Sequence, residues 1–345
     1  MYKYFTELVD FVGSRPKPFD NTKKYISTGA LKTNNISEDD IEMIDFATRP
    51  SRADLEVKNG DILFAKMAFT DKRLLVGEIE ADYIYSTGFF AVKPKEGIIT
   101  SKCLYFLLNS ESFRNQKDIN STGATQRAIT IEGLKKISLR IPEYHRQNQI
   151  GKTLENIDKI IKLKKQQLTE YDQLIKSRFV EMFDGKGLPV LKWNDVFNTT
   201  TGKLDSNAMV DGGQYPFFTC AKEIYAIDKY AFDKEALLLA GNNAAGKYDV
   251  KYYKGKFNAY QRTYVLDLKQ NWSYQLFKYQ LEDKLEFLRE QSKGSNTRYI
   301  TLKILADLDF IIPPLEKQVE FEKFCNHVDK LKFVVQKSLD ETQKL

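Results

Sequence analysis

Two stretches of this 345-residue chain repeat one another at a fixed spacing. Ser121-Thr-Gly-Ala-Thr-Gln-Arg-Ala-Ile-Thr130 aligns with Ser292-Lys-Gly-Ser-Asn-Thr-Arg-Tyr-Ile-Thr301, so that Gly123 falls on Gly294, Arg127 on Arg298, Ile129 on Ile300 and Thr130 on Thr301. The same offset of 171 positions carries Leu134 onto Leu305, Ile141 onto Ile312, Pro142 onto Pro313 and Gln147 onto Gln318, without a gap. A Gly, an Arg, a Pro and a Gln in one register mean that each half builds the same unit. The length agrees, since it divides into about two domains.

Each repeat leads into a Pro-free segment rich in Lys, Glu, Gln and Leu, which are good helix formers. Ile150, Leu154, Ile157, Ile161, Lys164, Leu168, Tyr171, Ile175, Arg178 and Met182 alternate at spacings of four and three, the seam of a coiled coil interrupted by two cations. The offset places Phe321, Cys325, Val328, Lys332, Val335, Leu339 and Thr342 on a second, more degraded seam. The first helix stops at Asp184-Gly185. Some 40 residues make a rod of roughly 60 Å, too long for an ordinary helix in a small domain. The two helices are expected to pack antiparallel, each leading out of one globular half, with the halves at opposite ends of the rod. Lys164 and Arg178 suit a partly open seam that other chains complete. The second helix is shorter by about ten residues, which argues against strict symmetry.

Between the helices the pattern is mixed. Gly60-Asp-Ile-Leu-Phe-Ala-Lys66 and Tyr83-Ile-Tyr-Ser-Thr-Gly-Phe-Phe-Ala-Val92 read as strands in the first half, followed by a short amphipathic helix over 102–109. Glu235-Ala-Leu-Leu-Leu-Ala-Gly241, Asp249-Val-Lys-Tyr-Tyr-Lys254 and Tyr264-Val-Leu-Asp-Leu268 read as strands in the second, followed by a helix from Ser273 to about Arg289. The expected fold class is α+β: two similar mixed α/β recognition domains separated by two long antiparallel coiled-coil helices, with a pseudo-twofold internal repeat. The boundaries are 1–142 for the first domain, 143–184 for the central helix, 185–313 for the second domain and 314–345 for the C-terminal helix.

Similar scaffolds with divergent loops suit two recognition modules of different specificity. Val12-Gly-Ser-Arg-Pro-Lys17 and Thr199-Thr-Thr-Gly-Lys203 each put a Gly and a cation just after a strand-like start. Candidate contact residues there are Ser14, Arg15, Lys17 and Lys203. Arg49, Arg52, Lys66 and Arg73 punctuate the first half; Asn242, Asn243, Lys247, Gln261 and Arg262 do so in the second. The repeated Gly loops add Gln126, Arg127, Asn296 and Arg298. Arg and Lys neutralise phosphates, while Arg, Asn and Gln can make paired contacts to base edges. The excess of 53 Lys and Arg over 47 Asp and Glu, a net +6, is only mildly basic, and so secondary to this loop pattern.

Several function classes drop out. The longest apolar runs fall far short of the roughly 20 residues of a spanning helix, and the acidic residues near the N-terminus are unlike a secretory signal. Cys103, Cys220 and Cys325 are far apart, without Cys-x-x-Cys spacing, which fits a cytoplasmic chain without disulfides or a cysteine zinc module. There is no Asn-Pro-Pro-Tyr or Asp-Pro-Pro-Tyr motif for an extruded base. Gly151-Lys152-Thr153 lies inside the helix pattern, with Arg146 where a phosphate loop needs its first Gly. Asp54-Leu-Glu56-Val-Lys58 has the acidic pair and Lys of metal-dependent nucleases, but so short a pattern is common by chance. His145 and His327 read as helix-surface residues. No catalytic site and no metal site is expected.

The twofold occurrence of Ser-x-Gly-x-x-x-Arg-x-Ile-Thr, a strand ending in Ile-Pro, a Gln and a long helix resembles the specificity subunit of type I restriction–modification systems. Ile157-Asp-Lys-Ile-Ile161 through Ser177-Arg-Phe-Val-Glu-Met-Phe183 looks like that family's central helix. Gly60-Asp-Ile-Leu63 and Tyr252-Tyr-Lys-Gly-Lys-Phe257 look like pieces of its target-recognition domains. The helix approach Pro313-Pro-Leu-Glu-Lys-Gln318 keeps the family's usual form, while Pro142-Glu-Tyr-His-Arg-Gln147 departs from it. The resemblance implies a non-catalytic reader of double-stranded DNA. Each domain would read one half of a split target, and the paired helices would set the spacer. DNA methyltransferase subunits and a restriction and translocase subunit would be its partners, with S-adenosylmethionine, ATP and Mg2+ on those partners and no cofactor on this chain. A coiled-coil scaffold that binds only proteins is the alternative.

Overall fold

The computed structural model describes residues 1–243, 246–294 and 297–344. It divides into two compact units, Met1–Ile160 and Ile161–Leu345. The first contains β1 (Tyr2–Tyr4), α1 (Phe5–Leu8), β2 (Val9–Val12), β3 (Lys23–Ile26), β4 (Glu42–Ile44), β5 (Ala53–Leu55), β6 (Ile62–Ala65), β7 (Arg73–Leu75), β8 (Ile84–Ser86) and β9 (Phe89–Pro94). Helices α2 (Ser101–Leu107), α3 (Glu111–Ile119) and α4 (Ile131–Leu134), strand β10 (Ser138–Arg140) and the long helix α5 (Tyr144–Phe183) follow. Two four-stranded sheets run β2-β9-β6-β7 and β4-β3-β8-β5, and β1 pairs with β10. Phe5, Phe64 and Phe113 centre the larger core, with rings in mutual contact.

The second unit takes residues of α5 from Ile161 onward. Its strands are β11 (Val190–Lys192), β12 (Phe197–Thr201), β13 (Tyr215–Phe218), β14 (Tyr225–Ile227), β15 (Phe232–Ala240), β16 (Asn242–Asn243), β17 (Val250–Ala259), β18 (Thr263–Leu268), β19 (Arg298–Tyr299) and β20 (Asp309–Ile311). Helix α6 (Trp193–Val196) precedes β12, α7 (Tyr274–Asp283) and α8 (Leu285–Gln291) follow β18, α9 (Leu302–Ala306) precedes β20, and α10 (Leu315–Gln343) ends the described chain. One six-stranded sheet, β12-β18-β15-β17-β13-β14, replaces the two sheets of the first unit. The reason is local. β15 and β17 pair without interruption from Phe232 with Phe257 to Leu239 with Val250. In the first unit the corresponding path is broken between β5 and β6, where a turn at 58–61 is closed by Asp61 Oδ2 accepting from Lys58 N at 2.8 Å, and again between β7 and β8. The parallel pairing survives in both, β3 with β8 and β13 with β17.

The repeated words of the sequence turn out to be framework. Phe5 N donates to Ile137 O at 2.8 Å, and Trp193 N to Leu308 O at 3.1 Å. Ile141 N donates to Met1 O, and Ile312 N to Pro189 O, both at 2.8 Å. Thr130 Oγ1 accepts from Gly133 N to cap α4, and Thr301 Oγ1 from Ile304 N to cap α9. Leu134 and Leu305 are fully buried.

Within the second unit, α5 runs antiparallel to α10. Lys164 Nζ donates to Ser338 Oγ and Thr342 Oγ1 at 2.7 Å each, Asp172 pairs with Lys332, and Arg178 pairs with Glu320 at 2.7 Å. Partner numbers fall as the α5 position rises. Leu154, Ile157, Ile161, Leu168, Ile175 and Val335 are half-buried, and Phe321, Val328 and Leu339 are buried, whereas Ile150 stays exposed. The two seam cations do not leave an open seam as expected. Both are bonded inside the helix pair, so the interruptions are polar cross-links.

Two expected elements are broken. The run from Tyr83 to Val92 is two strands, because Thr87 and Gly88 turn the chain between β8 and β9. The helix expected from Ser273 to Arg289 is α7 and α8, separated at Lys284. No helix among the described residues is long and apolar enough to cross a membrane.

Candidate nucleic-acid interface

The two halves build the same corner from different side chains. In the first, Lys66 N donates to Gly88 O at 2.9 Å, Ile129 N to Lys66 O at 2.8 Å and Ala68 N to Arg127 O at 2.9 Å. In the second, Gly241 N donates to Arg262 O at 2.9 Å, Ile300 N to Gly241 O at 2.8 Å, and β16 pairs with β19. Each corner joins the end of the strand β6 or β15 to the turn before β9 or β18 and to the repeated Gly loop. That loop is pinched shut by paired bonds between Thr122 and Ala128, and between Lys293 and Tyr299. Gly123 and Gly294 have φ of 125° and 107°, and a Cβ there would lie 2.4 Å from Gln126 O or 2.1 Å from Thr297 O. Only glycine fits.

The loop arginines serve the frame. Arg127 donates to Asp118 O at 2.8 Å and Ser121 O at 3.0 Å, tying down the end of α3, and Arg298 donates to Arg289 O at 3.0 Å at the end of α8. Both remain exposed. Gln126 is exposed beside Arg127, while Asn296 lies outside the described residues.

Around the frame of the first corner, Lys66 Nζ donates to Thr87 O at 2.8 Å and sits 4.5 Å from the Phe90 ring centroid. Thr87 N in turn donates to Arg52 O at 2.9 Å, which sets Arg52 beside the turn with an exposed side chain and no partner among the described residues. Lys72 donates to Thr28 O. Burial pushes the Lys66 and Lys72 ammonium groups below the ordinary lysine range.

The second corner presents more polar side chains. Gln261 and Arg262 form the turn between β17 and β18, both exposed and with side chains unpartnered among the described residues. Gln261 N donates to Leu204 O at 2.8 Å, bringing exposed Lys203 alongside. Asn242 is half-buried, and Asn243 Oδ1 accepts from Lys247 N at 3.2 Å, leaving the Lys247 ammonium exposed. Lys222, also exposed, follows Cys220, whose Sγ lies 3.4 Å from Arg262 O.

The remaining candidates stand elsewhere. Ser14 exchanges backbone bonds with Glu56, and Lys17 is exposed. Asp54 holds both Arg15, at 3.1 Å, and Arg49, at 3.3 Å. Arg49 also donates to Phe46 O at 2.7 Å and lies 4.1 Å from the Phe46 ring centroid, so its role is to fold the loop. Arg73 was expected on a contact surface, but it is only 2% exposed and stacks 4.6 Å from the Tyr105 ring centroid. It faces inward because its strand packs under α2. Sequence reasoning missed Lys72, Lys222 and Phe69, all of which lie near turns defined only by strand pairing.

The chemistry available at these corners is recognition. Asp54 of the nuclease-like pattern is neutralised by two guanidinium groups. Burial pushes the Cys103 and Cys325 thiols up to about 11 and about 12, which leaves them unreactive at neutral pH. Unpaired Arg and Lys beside exposed carboxamides match a phosphate backbone with base edges next to it.

A family model for the type I restriction modification DNA specificity domain matches the chain twice, over residues 14–171 and 186–341. The chain is 41% identical over 133 residues to the Type I restriction enzyme EcoDI specificity subunit of Escherichia coli, covering 37% of this chain and 28% of that protein. It is 27% identical over 162 residues to the Type I restriction enzyme HindI specificity subunit of Haemophilus influenzae, covering 46% of this chain and 35% of that protein. The matched stretches thus span about a third of those relatives. The crystal structure of a type I restriction-modification S subunit from M. genitalium shares the fold, with a TM-score of 0.58 at 15% identity over 99% of this chain and 92% of that one.

Proposed function

The chain belongs to the type I restriction modification DNA specificity family, and on that premise we propose that it reads a bipartite sequence in double-stranded DNA, one half-site per globular half. The observation that carries the reading is the corner built twice on one frame. The backbone bond from Lys66 to Gly88 recurs from Gly241 to Arg262, while the side chains around it differ. A shared frame with divergent polar groups is what two readers of different sequences need. In this reading the paired helices set the unread spacer. The exposed apolar side chains of α10, Phe333 at 70% and Val334 at 63%, suit docking of DNA methyltransferase and restriction subunits. Those partners would hold S-adenosylmethionine, ATP and Mg2+, and the chain itself would do no chemistry. It would work in the cytoplasm.

The test is an exchange. Replacing residues 1–142 with the equivalent part of another family member changes one half of the footprinted sequence and leaves the other intact; a change in both halves, or in neither, would falsify the reading. Phe333 and Val334 also suit the alternative, a scaffold that binds proteins alone. That scaffold would retain its partner chain yet show no salt-dependent affinity for duplex DNA, whereas a phosphate-contacting reader loses affinity steeply as salt rises.

A further inference from the structure

Among the described residues, Phe69 is the one non-glycine in the left-handed backbone region, with φ of 58°. That conformation is disfavoured for a bulky side chain and persists only where its surroundings impose it. Here they do. Phe69 lies in the hairpin loop between β6 and β7, and its N–H donates to Asp118 Oδ1 at 2.8 Å. The buried Lys117 ammonium crosses beneath the same loop, donating to Met67 O at 3.0 Å and Thr70 O at 2.6 Å. Ala68 N is bonded to Arg127 O at 2.9 Å. Four backbone groups of a short loop are thus fixed by α3 and the Gly loop.

All this restraint serves a side chain that contributes little to the fold. Phe69 is 76% exposed, and Met67 beside it is also exposed. The Arg127 guanidinium stands 5.7 Å from the Phe69 ring centroid. Resting on the DNA-reading function proposed above, we propose that Phe69 is a base-stacking wedge that the first half presents to duplex DNA. An apolar ring with a cation at its flank fits a base step bordered by phosphate, and such wedges unstack one step as they enter. A protein pocket fits less well, because the cation at the ring's flank is Arg127, while Asp118 is already bound to Phe69 N and the loop's own Asp71 accepts from Thr33 Oγ1 at 3.3 Å. Met67 and Asn242 hold equivalent places in their corners; two positions further on the sequence has Phe69 in the first half and Ala244, outside the described residues, in the second.

The experiment uses the full chain and duplexes that it selects from a randomised pool, with 2-aminopurine placed in turn through the bound sequence. Wild type is expected to raise the fluorescence at one step of the first half-site, and Phe69→Trp to keep that signal. Phe69→Ala is expected to lose it and to weaken binding roughly tenfold with the salt dependence unchanged. Phe69→Gly relieves the backbone, so it is expected to unfold at a higher temperature yet bind as weakly as Phe69→Ala. The idea is overturned if Phe69→Ala binds and unstacks like wild type, or if it loses a methyltransferase subunit while keeping DNA. Wild type that selects no duplex would sink the DNA-reading premise as well, which the variants alone cannot do.

Discussion

Gln147 and Gln318 make the same clamp 171 residues apart. Gln147 Oε1 accepts from Thr100 N at 2.8 Å while its Nε2 donates to Ile98 O at 2.9 Å and Pro142 O at 3.1 Å. Gln318 Oε1 accepts from Ser273 N at 3.0 Å, and its Nε2 donates to Pro313 O at 2.8 Å. Both carboxamides are buried, at 0% and 1% exposure. Each ties the first turn of a long helix to the start of a shorter helix in its own globular half.

Replacing either Gln with Leu strands buried backbone groups, which is expected to cost about 2 kcal/mol, the penalty of unmade buried hydrogen bonds. Because the two clamps share no partner, the double variant should lose the sum of the two single losses. Denaturant unfolding of all three variants measures this. A double variant no worse than the single ones would show that the clamps are not independent.

Lys164 meets α10 near its C-terminal end, where the aligned peptide dipoles carry partial negative charge. Its ammonium donates to Ser338 O at 3.0 Å as well as to two hydroxyls. Lys164→Met is expected to fray that end by about 1 kcal/mol. Amide hydrogen exchange should speed up over residues 338–343 and stay unchanged near Phe321.

Burial depresses the Lys117 ammonium from the ordinary lysine value of 10.5 to about 8. The folded chain therefore releases this proton near pH 8, whereas the unfolded chain keeps it until about 10.5. Between those values the unfolded state binds more protons, so the group's contribution to stability grows as pH rises, and is lost again as pH falls through about 8. Unfolding free energy measured across that window should climb less for Lys117→Met than for wild type. Equal slopes would mean that the ammonium is not desolvated.

What the sequence made legible follows from which forces are local. The seam from Leu154 to Leu339 is visible because a helix repeats its burial every three to four residues. Gly123 and Gly294 are visible because a backbone clash admits no other residue. Strands β3, β4, β13 and β14 are not, since each is only three or four residues long, and β3 and β13 take parallel partners, β8 and β17, from far along the chain. The site was half legible. Arg262 and Lys203 are exposed as a polar-loop reading expects, but nothing in the residues near Arg73 announces that its strand lies under a helix. Nothing in the residues around Phe69 announces its left-handed backbone or its exposure, because both are imposed by bonds from α3 and the Gly loop.

Arg262 and Lys203 flank one turn but differ in what they can do. Arg262 is fixed through its own carbonyl, which accepts from Gly241 N at 2.9 Å, so its guanidinium starts from a rigid base. A planar fork so placed suits guanine, and Arg262→Ala is expected to lose about 1–3 kcal/mol on the selected sequence and to relax preference at one position of the second half-site. Lys203 is a flexible point charge beside the turn. Lys203→Ala should weaken binding evenly across sequences and reduce the slope of log affinity against log salt by about one. Competition binding against single-base variants at several salt concentrations separates the two. If Arg262→Ala instead lowers all sequences alike with a shallower salt slope, Arg262 is a phosphate contact and the base-reading role belongs to Gln261 or Asn242 at the same corner.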